Sequence, residues 1–236
     1  MRSPSNLFTP PVMAVVQALL PAPTKAVGGS VRCLLLGHPM AQVDVDLATE
    51  ALPDEIEQRL RRAKIPFDAQ GKRWGSFTAK PAPGVEVDIT SLRADSYLPG
   101  SRYPNVNFGV GWEADAARRD FTIGAIYMAP DGTLTDPLGG EADLKAGLVR
   151  FIGDPAQRLR EDPLRLLRFY RFCGQYGLAG ITEDLKPVLA QAAPALATLS
   201  AARKADEFAK LAKTPHAVSV STAMEALGVA VPVSGG

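Results

Sequence analysis

Two short segments of the chain alternate apolar residues with acidic ones at a period of two. They are Val43-Asp44-Val45-Asp46-Leu47 and Val85-Glu86-Val87-Asp88-Ile89-Thr90. This alternation is typical of a β-strand that buries one face and exposes the other. The pattern therefore predicts a sheet, and it places the acidic residues of each segment together on one face of their strand.

Helical and turn signals lie between and around these strands. Residues 52–63 have acidic residues early and arginines late, an order that suits the helix dipole. The apolar stretch 12–20 predicts an N-terminal helix packed on the core, because prolines follow it and no small-residue cleavage site ends it as in a signal peptide. Asp131-Gly132, between 121–128 and 133–135, predicts a two-residue hairpin turn.

The pattern becomes helical after residue 150. Asp154-Pro155 and Asp162-Pro163 each place a capping acid before a proline suited to a first helical turn. Helical periodicity follows over residues 164–176, 185–193 and 201–213. We therefore predict an α+β fold: residues 1–149 form a mixed β-sheet with flanking helices, and residues 150–236 form an all-helical segment.

Composition excludes several classes of protein. With 46% hydrophobic and 22% charged residues, the 236-residue chain is neither disordered nor collagen-like. The net charge of +1 excludes a strongly basic nucleic-acid binder, although it allows a local basic patch. No apolar run is long enough to span a membrane. The two cysteines are far apart in sequence, which favours reduced thiols and a cytoplasmic location.

A glycine pair opens one predicted helix, in the run Gly28-Gly29-Ser30-Val31-Arg32. Paired glycines at this place let backbone amides approach an anion, and Arg32 could add a bidentate contact to phosphate. The alternative is an ordinary turn.

The carboxylates of Asp44 and Asp46 point to the same side of their strand and repel each other unless a cation lies between them. Such oxygen ligands suit Mg²⁺, which is often held by one or two carboxylates together with substrate phosphates. Asp88 or Glu86 could supply a third carboxylate. The alternative is a solvated strand face.

Three arginines, Arg165, Arg168 and Arg171, are spaced three residues apart on one predicted helix. This spacing places them on one flank of the helix, which suggests an anionic partner. The alternatives are a solvated face for the arginines and a capping role for Asp162.

Taken together and in order, these motifs resemble those of a known family. The matching segments are Gly28–Arg32, Asp44–Thr49, Arg118–Ile123, Asp136–Gly140 with Asp143-Leu144, and Arg160–Phe169. They are similar to the motifs of bacterial tRNA nucleotidyltransferases, the class II CCA-adding enzymes, which share a head and a neck with bacterial poly(A) polymerases. The resemblance covers about residues 25 to 211.

The resemblance implies a role for each matching residue. Asp44 and Asp46 match the metal-binding pair, and Asp88 matches a further catalytic carboxylate and is preferred to Glu86. Among the nucleotide-binding positions, the triphosphate loop comprises Gly28, Gly29 and Arg32, and the sugar motif comprises Arg119, Asp120 and Thr122. The base-contacting pair is Asp162 and Arg165, and the neck arginines near the triphosphate are Arg168 and Arg171.

The resemblance further implies a nucleotidyltransferase head over residues 1–149 and a helical neck from residue 150, with the body and tail of the family truncated. We expect Mg²⁺-dependent addition of C and A from CTP and ATP to the tRNA 3′ end, without a membrane partner. The alternatives are a poly(A) polymerase, an A-adding enzyme and a non-catalytic relative. Two departures from the family pattern bear on activity: Cys33 replaces an aspartate, and Gly124 replaces an asparagine.

Overall fold

A computed structural model describes residues 3–38, 44–96 and 105–230. The chain divides into two units, the first comprising Met1–Arg119 and Ile123–Glu141, and the second Asp120–Thr122 and Ala142–Gly236. No helix in the described ranges is both long and apolar enough to cross a membrane.

The first unit is built on a mixed sheet that has seven strands among the described residues, in the order β3-β4-β5-β2-β1-β8-β9. These strands are β1 (Thr24–Val27), β2 (Val45–Thr49), β3 (Phe67–Asp68), β4 (Ser76–Ala82), β5 (Val85–Ser91), β8 (Tyr127–Met128) and β9 (Leu134–Thr135). Strands β2 and β5 pair in parallel, whereas the other neighbours are antiparallel. A separate hairpin joins β6 (Arg93–Ser96) to β7 (Asn105–Phe108).

Helices of the first unit pack against its strands. The first unit contains α1 (Pro10–Ala18), α2 (Gly29–Leu35), α3 (Pro53–Arg62) and α4 (Trp112–Ala117). Helix α1 packs against α3, β4 and β5. It buries Val12, Val15 and Val16, which recur at helical spacing on one face. The predicted N-terminal helix is therefore confirmed.

Period-two alternation in the strands determines which residues reach the core. Leu47, Val87 and Ile89 are buried at 1% exposure or less, whereas Asp46 and Asp88 alternate with them and point to the other face. Strand β2 begins at Val45, and Val43 lies outside the described residues.

The second unit is helical over most of its described length. Its helices are α5 (Gly140–Lys145, which begins in the first unit), α6 (Pro155–Glu161), α7 (Leu164–Tyr176), α8 (Lys186–Ala192), α9 (Ala201–Leu211) and α10 (Ala217–Ala226). Helix α7 is central and contacts α6, α9 and α10. Asp154 caps α6 by accepting the amide of Gln157 at 2.9 Å, as the sequence predicts. The predicted α+β class, a mixed sheet with flanking helices followed by a helical segment, is confirmed.

The predicted two-residue hairpin at Asp131-Gly132 is wrong. Strands β8 and β9 pair through Met128 and Leu134, so the connection is longer than two residues. Asp131 instead accepts the amide of Thr133 through its carboxylate at 2.9 Å, which closes a local turn. Residues 121–126 also form no continuous strand, because a 3₁₀ turn covers Thr122–Gly124.

Candidate active site

Two carboxylates meet at the centre of the sheet. The parallel register of β2 and β5 sets Asp46 directly beside Asp88, and Asp44 lies two residues before Asp46, immediately ahead of β2. Burial, reinforced by the charge of Asp88, raises the pKa of Asp46 from 3.8 to about 6. Thr78 donates its hydroxyl to Asp88 Oδ1 at 2.6 Å. The site thus concentrates negative charge that a cation would relieve.

The donor set fits Mg²⁺ in one particular mode. Among the described residues, no group of three or more His, Cys, Asp or Glu side chains is placed to hold a metal ion alone. Mg²⁺ usually takes only one or two protein carboxylates and completes its shell with water and substrate phosphates. Asp46 and Asp88 are neighbouring carboxylates, and the pKa of Asp46 is raised, so the pair matches that mode of binding.

The glycine loop approaches this carboxylate pair closely. Gly28 precedes α2 with φ of 78°, a left-handed conformation that favours glycine. A Cβ atom at this position would lie 2.9 Å from Asp46 Oδ2. The glycine therefore serves both the backbone turn and the close approach. Arg32, four residues later, is 8% exposed and donates to the carbonyl of Ile123 at 3.3 Å.

Arg119 is held by a buried carboxylate that the sequence analysis did not single out. Asp115, with no exposed surface, accepts Arg119 Nη2 at 2.8 Å, Arg118 Nε at 2.8 Å and the Tyr127 hydroxyl at 2.7 Å. Although burial opposes ionisation, Arg119 and Arg118 hold the pKa of Asp115 below its usual range. Arg119 and Arg32 also act to lower the pKa of Asp46, so both guanidinium groups lie within electrostatic reach of it.

Position 124, where the family usually has asparagine, is open. The nearest atom to a Cβ built on Gly124 is Arg32 Nη1, at 3.9 Å. The Gly124 carbonyl lies 3.5 Å from Arg119 Nη1, which donates to it. The departure therefore leaves space beside Arg32 and does not disturb the backbone contact with Arg119.

The second unit contains a cluster of charged side chains centred on Asp120. Phe121, the next residue, packs against Phe169 and Phe172 of α7 with ring centroids 6.1 and 5.5 Å apart, which places Asp120 beside α7. Asp120 accepts Arg165 Nε and Arg168 Nη1, each at 2.7 Å. Although burial opposes ionisation, these guanidinium groups hold the pKa of Asp120 below its usual range.

Arg165 is buried, at 4% exposure. Its Nη1 also donates to Glu161 at 2.9 Å and to the Arg158 carbonyl at 2.8 Å. Asp162, its predicted partner in contacting the base, accepts the Leu164 backbone amide at 3.1 Å. The structure thus brings Arg165 to Asp120 and Glu161.

The remaining predicted residues of the second unit contact other protein groups. Arg171 donates to Glu207 at 2.7 Å, and Asp162 lies 3.8 Å from Arg203. Thr122 is 2% exposed and donates its hydroxyl to Asp143. Thr122 therefore stabilises the core of this unit.

Asp115 and Glu161 are the principal groups that the sequence analysis missed. Each precedes arginine partners by three or four residues, the spacing at which helical side chains meet. That spacing is the signal by which both could have been found.

A family model and several relatives match the chain. The model described as Poly A polymerase head domain matches residues 24–150, more than half of the chain. The CCA-adding enzyme of Geobacillus thermodenitrificans is 36% identical over 210 residues, covering 89% of this chain and 50% of that protein. Human mitochondrial CCA tRNA nucleotidyltransferase 1 is 40% identical over 149 residues, covering 63% of this chain and 33% of that protein.

A solved structure, the Bacillus stearothermophilus CCA-adding enzyme in complex with CTP, superposes with a TM-score of 0.77 at 32% identity. The match covers 95% of this chain and 52% of that one. The chain thus spans about half the length of the curated relatives it matches. The resemblance predicted from the motifs is confirmed: the chain belongs to the Poly A polymerase head domain family, which its likeness to CCA-adding enzymes supports.

Proposed function

We propose that the protein transfers nucleotidyl groups from CTP and ATP to the 3′ end of tRNA. The observation that supports this best is the Asp46–Asp88 pair. The two residues lie side by side on the parallel strands β2 and β5, and Asp46 is within electrostatic reach of Arg32 and Arg119. Carboxylates that bind a cation and guanidinium groups that bind phosphate are the two requirements of such a transfer. The similarity to CCA-adding enzymes supports the choice of substrates.

In the proposed reaction, the RNA 3′-hydroxyl attacks the α-phosphorus and the bond from that phosphorus to the β-phosphate bridging oxygen breaks. Pyrophosphate leaves, and the hydroxyl proton passes to a carboxylate oxygen. Asp44 and Asp46 would hold Mg²⁺, which supplies charge stabilisation for the phosphates. Asp88 is the third carboxylate, and Thr78 fixes its orientation through the bond to Oδ1.

Arg32 and Arg119 would bind the triphosphate, together with the Gly28-Gly29 loop. Asp115 holds Arg119 by its Nε and Nη2 atoms, which fixes the guanidinium before nucleotide binds. A fixed guanidinium loses little conformational freedom on binding phosphate.

Within the second unit, we assign Asp162 and Arg165 to the base of the nucleotide and Arg168 and Arg171 to its phosphates. Asp120, which the motif assigns to the sugar with Arg119 and Thr122, additionally orients Arg165 and Arg168. A rigid hydrogen-bond donor can discriminate among bases, because a base whose edge does not match it leaves a buried polar group without a hydrogen bond.

We further propose that residues 1–149 are the head and residues 150–236 the neck of such an enzyme. The free thiols of Cys33 and Cys173 support a cytoplasmic location.

The test is incubation of the protein with Mg²⁺, tRNA lacking its CCA end, and separately labelled CTP and ATP. We expect both labels to be incorporated by the unmodified protein and neither by Asp46→Ala. Glu86→Gln serves as the control, because Glu86 is an exposed carboxylate of β5, the strand that pairs with the strand of Asp46, and it is paired with Lys80. Incorporation of ATP alone would indicate an A-adding enzyme or a poly(A) polymerase, and incorporation of neither would refute transfer by this chain.

A further inference from the structure

Tyr127 of β8 lies on the face of the sheet that bears the carboxylate pair. In the antiparallel registers of β1 with its two neighbours, Val27 is opposite Asp46 on one side and opposite Tyr127 on the other. Residues directly opposite each other on neighbouring strands point to the same face, so the Tyr127 ring shares the face of Asp46 and Asp88. Gly28, where the glycine loop begins, follows Val27 in the chain. Tyr127 therefore lies beside the start of the glycine loop and two strands away from Asp46.

The hydroxyl of Tyr127 makes two hydrogen bonds although the residue has no exposed surface. It donates to Asp115 Oδ2 at 2.7 Å and accepts Arg119 Nε at 3.1 Å. A hydroxyl has one proton and the guanidinium has only donors, so the proton of the hydroxyl goes to the carboxylate. Burial raises the pKa of Tyr127 above its usual value, so the hydroxyl keeps the proton that it donates. The guanidinium carbon of Arg119 also lies over the Tyr127 ring, 5.1 Å from its centroid.

The hydroxyl gives the Arg119 guanidinium a second point of attachment. Arg119 Nε and Nη2 both donate to Asp115 Oδ2, at 3.1 and 2.8 Å, whereas Asp115 Oδ1 accepts Arg118. Two bonds that end on one oxygen fix the distance of the guanidinium from that oxygen, but they allow its plane to pivot there. The contact from Arg119 Nη1 to the Gly124 carbonyl is longer, at 3.5 Å, and restrains the plane less. The Tyr127 hydroxyl opposes the pivoting from a different strand of the fold.

The orientation of a guanidinium determines how well it binds phosphate, because its N–H groups form a planar fork that matches the phosphate oxygens. We propose that Tyr127 is a positioning residue for nucleotide binding, and that its hydroxyl fixes the orientation in which Arg119 contacts the triphosphate. Tyr127 acts through Arg119, because its hydroxyl is bonded to Asp115 and Arg119 and its side chain is buried. This inference rests on the proposed function for the role of Arg119.

The experiment measures the equilibrium binding of CTP and of ATP to the full chain in Mg²⁺ buffer by titration calorimetry. Tyr127→Phe keeps the aromatic ring and removes only the hydroxyl. We expect this variant to bind both nucleotides about fivefold more weakly, the factor that corresponds to ordering one long side chain on binding. The loss should be equal for CTP and ATP, because the two nucleotides share the triphosphate and differ in the base.

A double-mutant cycle tests whether Tyr127 acts through Arg119. In an Arg119→Ala background, Tyr127→Phe should weaken CTP binding by less than about twofold, because the group that it orients is absent. A residue that only supports the fold would weaken binding by the same factor in both backgrounds, and that result would overturn the proposal. Arg119→Lys keeps a positive charge beside Asp115 but lacks the planar fork, so it serves as a second background if Arg119→Ala does not fold.

Tyr170→Phe is the matched control. Tyr170 belongs to α7 in the second unit and has no exposed surface, and among the described residues its hydroxyl has no hydrogen-bond partner. The variant removes the same atom from another buried tyrosine, and it should leave the affinities for CTP and ATP unchanged. Equal weakening by Tyr127→Phe and Tyr170→Phe, or no weakening by Tyr127→Phe, would overturn the positioning role.

Nucleotide transfer separates this role from the proposed function. A protein whose CTP affinity depends on Tyr127 through Arg119, but which transfers no nucleotide, would refute the function and leave the positioning role intact. A protein that transfers nucleotides with a KM for CTP unchanged by Tyr127→Phe would refute the positioning role and leave the function intact. An unmodified protein that binds neither CTP nor ATP would refute both.

Discussion

Replacing Asp46 by asparagine should stabilise the first unit in metal-free buffer. The side chain keeps its shape and loses the charge that burial and Asp88 disfavour. The pKa of Asp46 rises from 3.8 in the unfolded chain to about 6 in the folded one, so the folded state binds this proton more tightly. Stability therefore falls as pH rises from 3.8 to 6 and is constant above that range.

The magnitude follows from the two pKa values. A shift of about two units corresponds to about 3 kcal/mol at pH 7.5, since each unit is worth about 1.4 kcal/mol. At pH 5 the same relation leaves roughly half of that penalty. Because Asp46 is partly exposed, solvent screening reduces the gain expected for Asp46→Asn to about 1–2 kcal/mol at pH 7.5.

The assay is unfolding by guanidinium in EDTA, followed by tryptophan fluorescence. The two tryptophans of the chain, Trp74 and Trp112, both lie in the first unit, so the signal reports on that unit. The difference in free energy of unfolding between Asp46→Asn and the unmodified protein should be smaller at pH 5 than at pH 7.5. Glu86→Gln should change stability by less than about 0.5 kcal/mol, as an exposed position does.

Mg²⁺ gives the matching ligand test. A cation held by Asp46 stabilises the folded state by mass action, so Mg²⁺ should raise the unfolding midpoint of the unmodified protein more than that of Asp46→Asn. A variant no more stable than the unmodified protein at pH 7.5, or a stability gap independent of pH, would refute the conclusion that uncompensated charge destabilises this site.

Three further substitutions test other parts of the structure. Gly28→Ala combines a left-handed φ with a 2.9 Å contact, so it should lower the free energy of unfolding in guanidinium by about 1–3 kcal/mol. Gly84→Ala, with φ of 70° and no atom within 4 Å of its Cβ, should lower it less, and equal losses would exclude a role for the contact. Asp115→Ala removes the carboxylate shared by two half-buried guanidinium groups and should lower the free energy of unfolding by about 3–5 kcal/mol in the same measurement; a loss under 1 kcal/mol would contradict its central position. Arg165→Lys should weaken discrimination of CTP and ATP from GTP and UTP in steady-state transfer assays more than it raises KM for CTP, whereas equal loss with all four nucleotides would indicate a phosphate ligand.

The sequence was sufficient to predict the strands that bear the carboxylates but not their juxtaposition. Alternation at a period of two identified β2 and β5 and the outward face of Asp46 and Asp88. Their pairing depends on strand order, and β3 and β4 lie between β2 and β5 in sequence but not in the sheet. A periodic pattern describes one strand at a time and cannot determine which strand lies beside it.

The arginines of α7 show a second limit of sequence reasoning. Spacing by three placed Arg165, Arg168 and Arg171 on one flank and indicated an anionic partner, but it could not say whether that partner is a ligand or the protein itself. In the structure their carboxylate partners include Asp120 and Glu207, which lie 45 residues before Arg165 and 36 residues after Arg171. Long-range pairs of this kind have no local signal, whereas the Asp154 cap depends only on its neighbours and was predicted correctly.

The adjacent arginines at the end of α4 have different surroundings although one carboxylate holds both. Arg118 and Arg119 differ by one residue, which turns their side chains about 100° apart on a helix. Arg118 binds Asp115 Oδ1 and is near enough to Arg93 to lower its pKa, together with burial, whereas Arg119 binds Oδ2 and acts on Asp46. The buried carboxylate therefore directs one guanidinium towards the β6 hairpin and the other towards the carboxylate pair. Of these two successive arginines, only Arg119 is proposed to bind the triphosphate, and Asp115 distinguishes them because Arg118 contacts one of its oxygens and Arg119 the other.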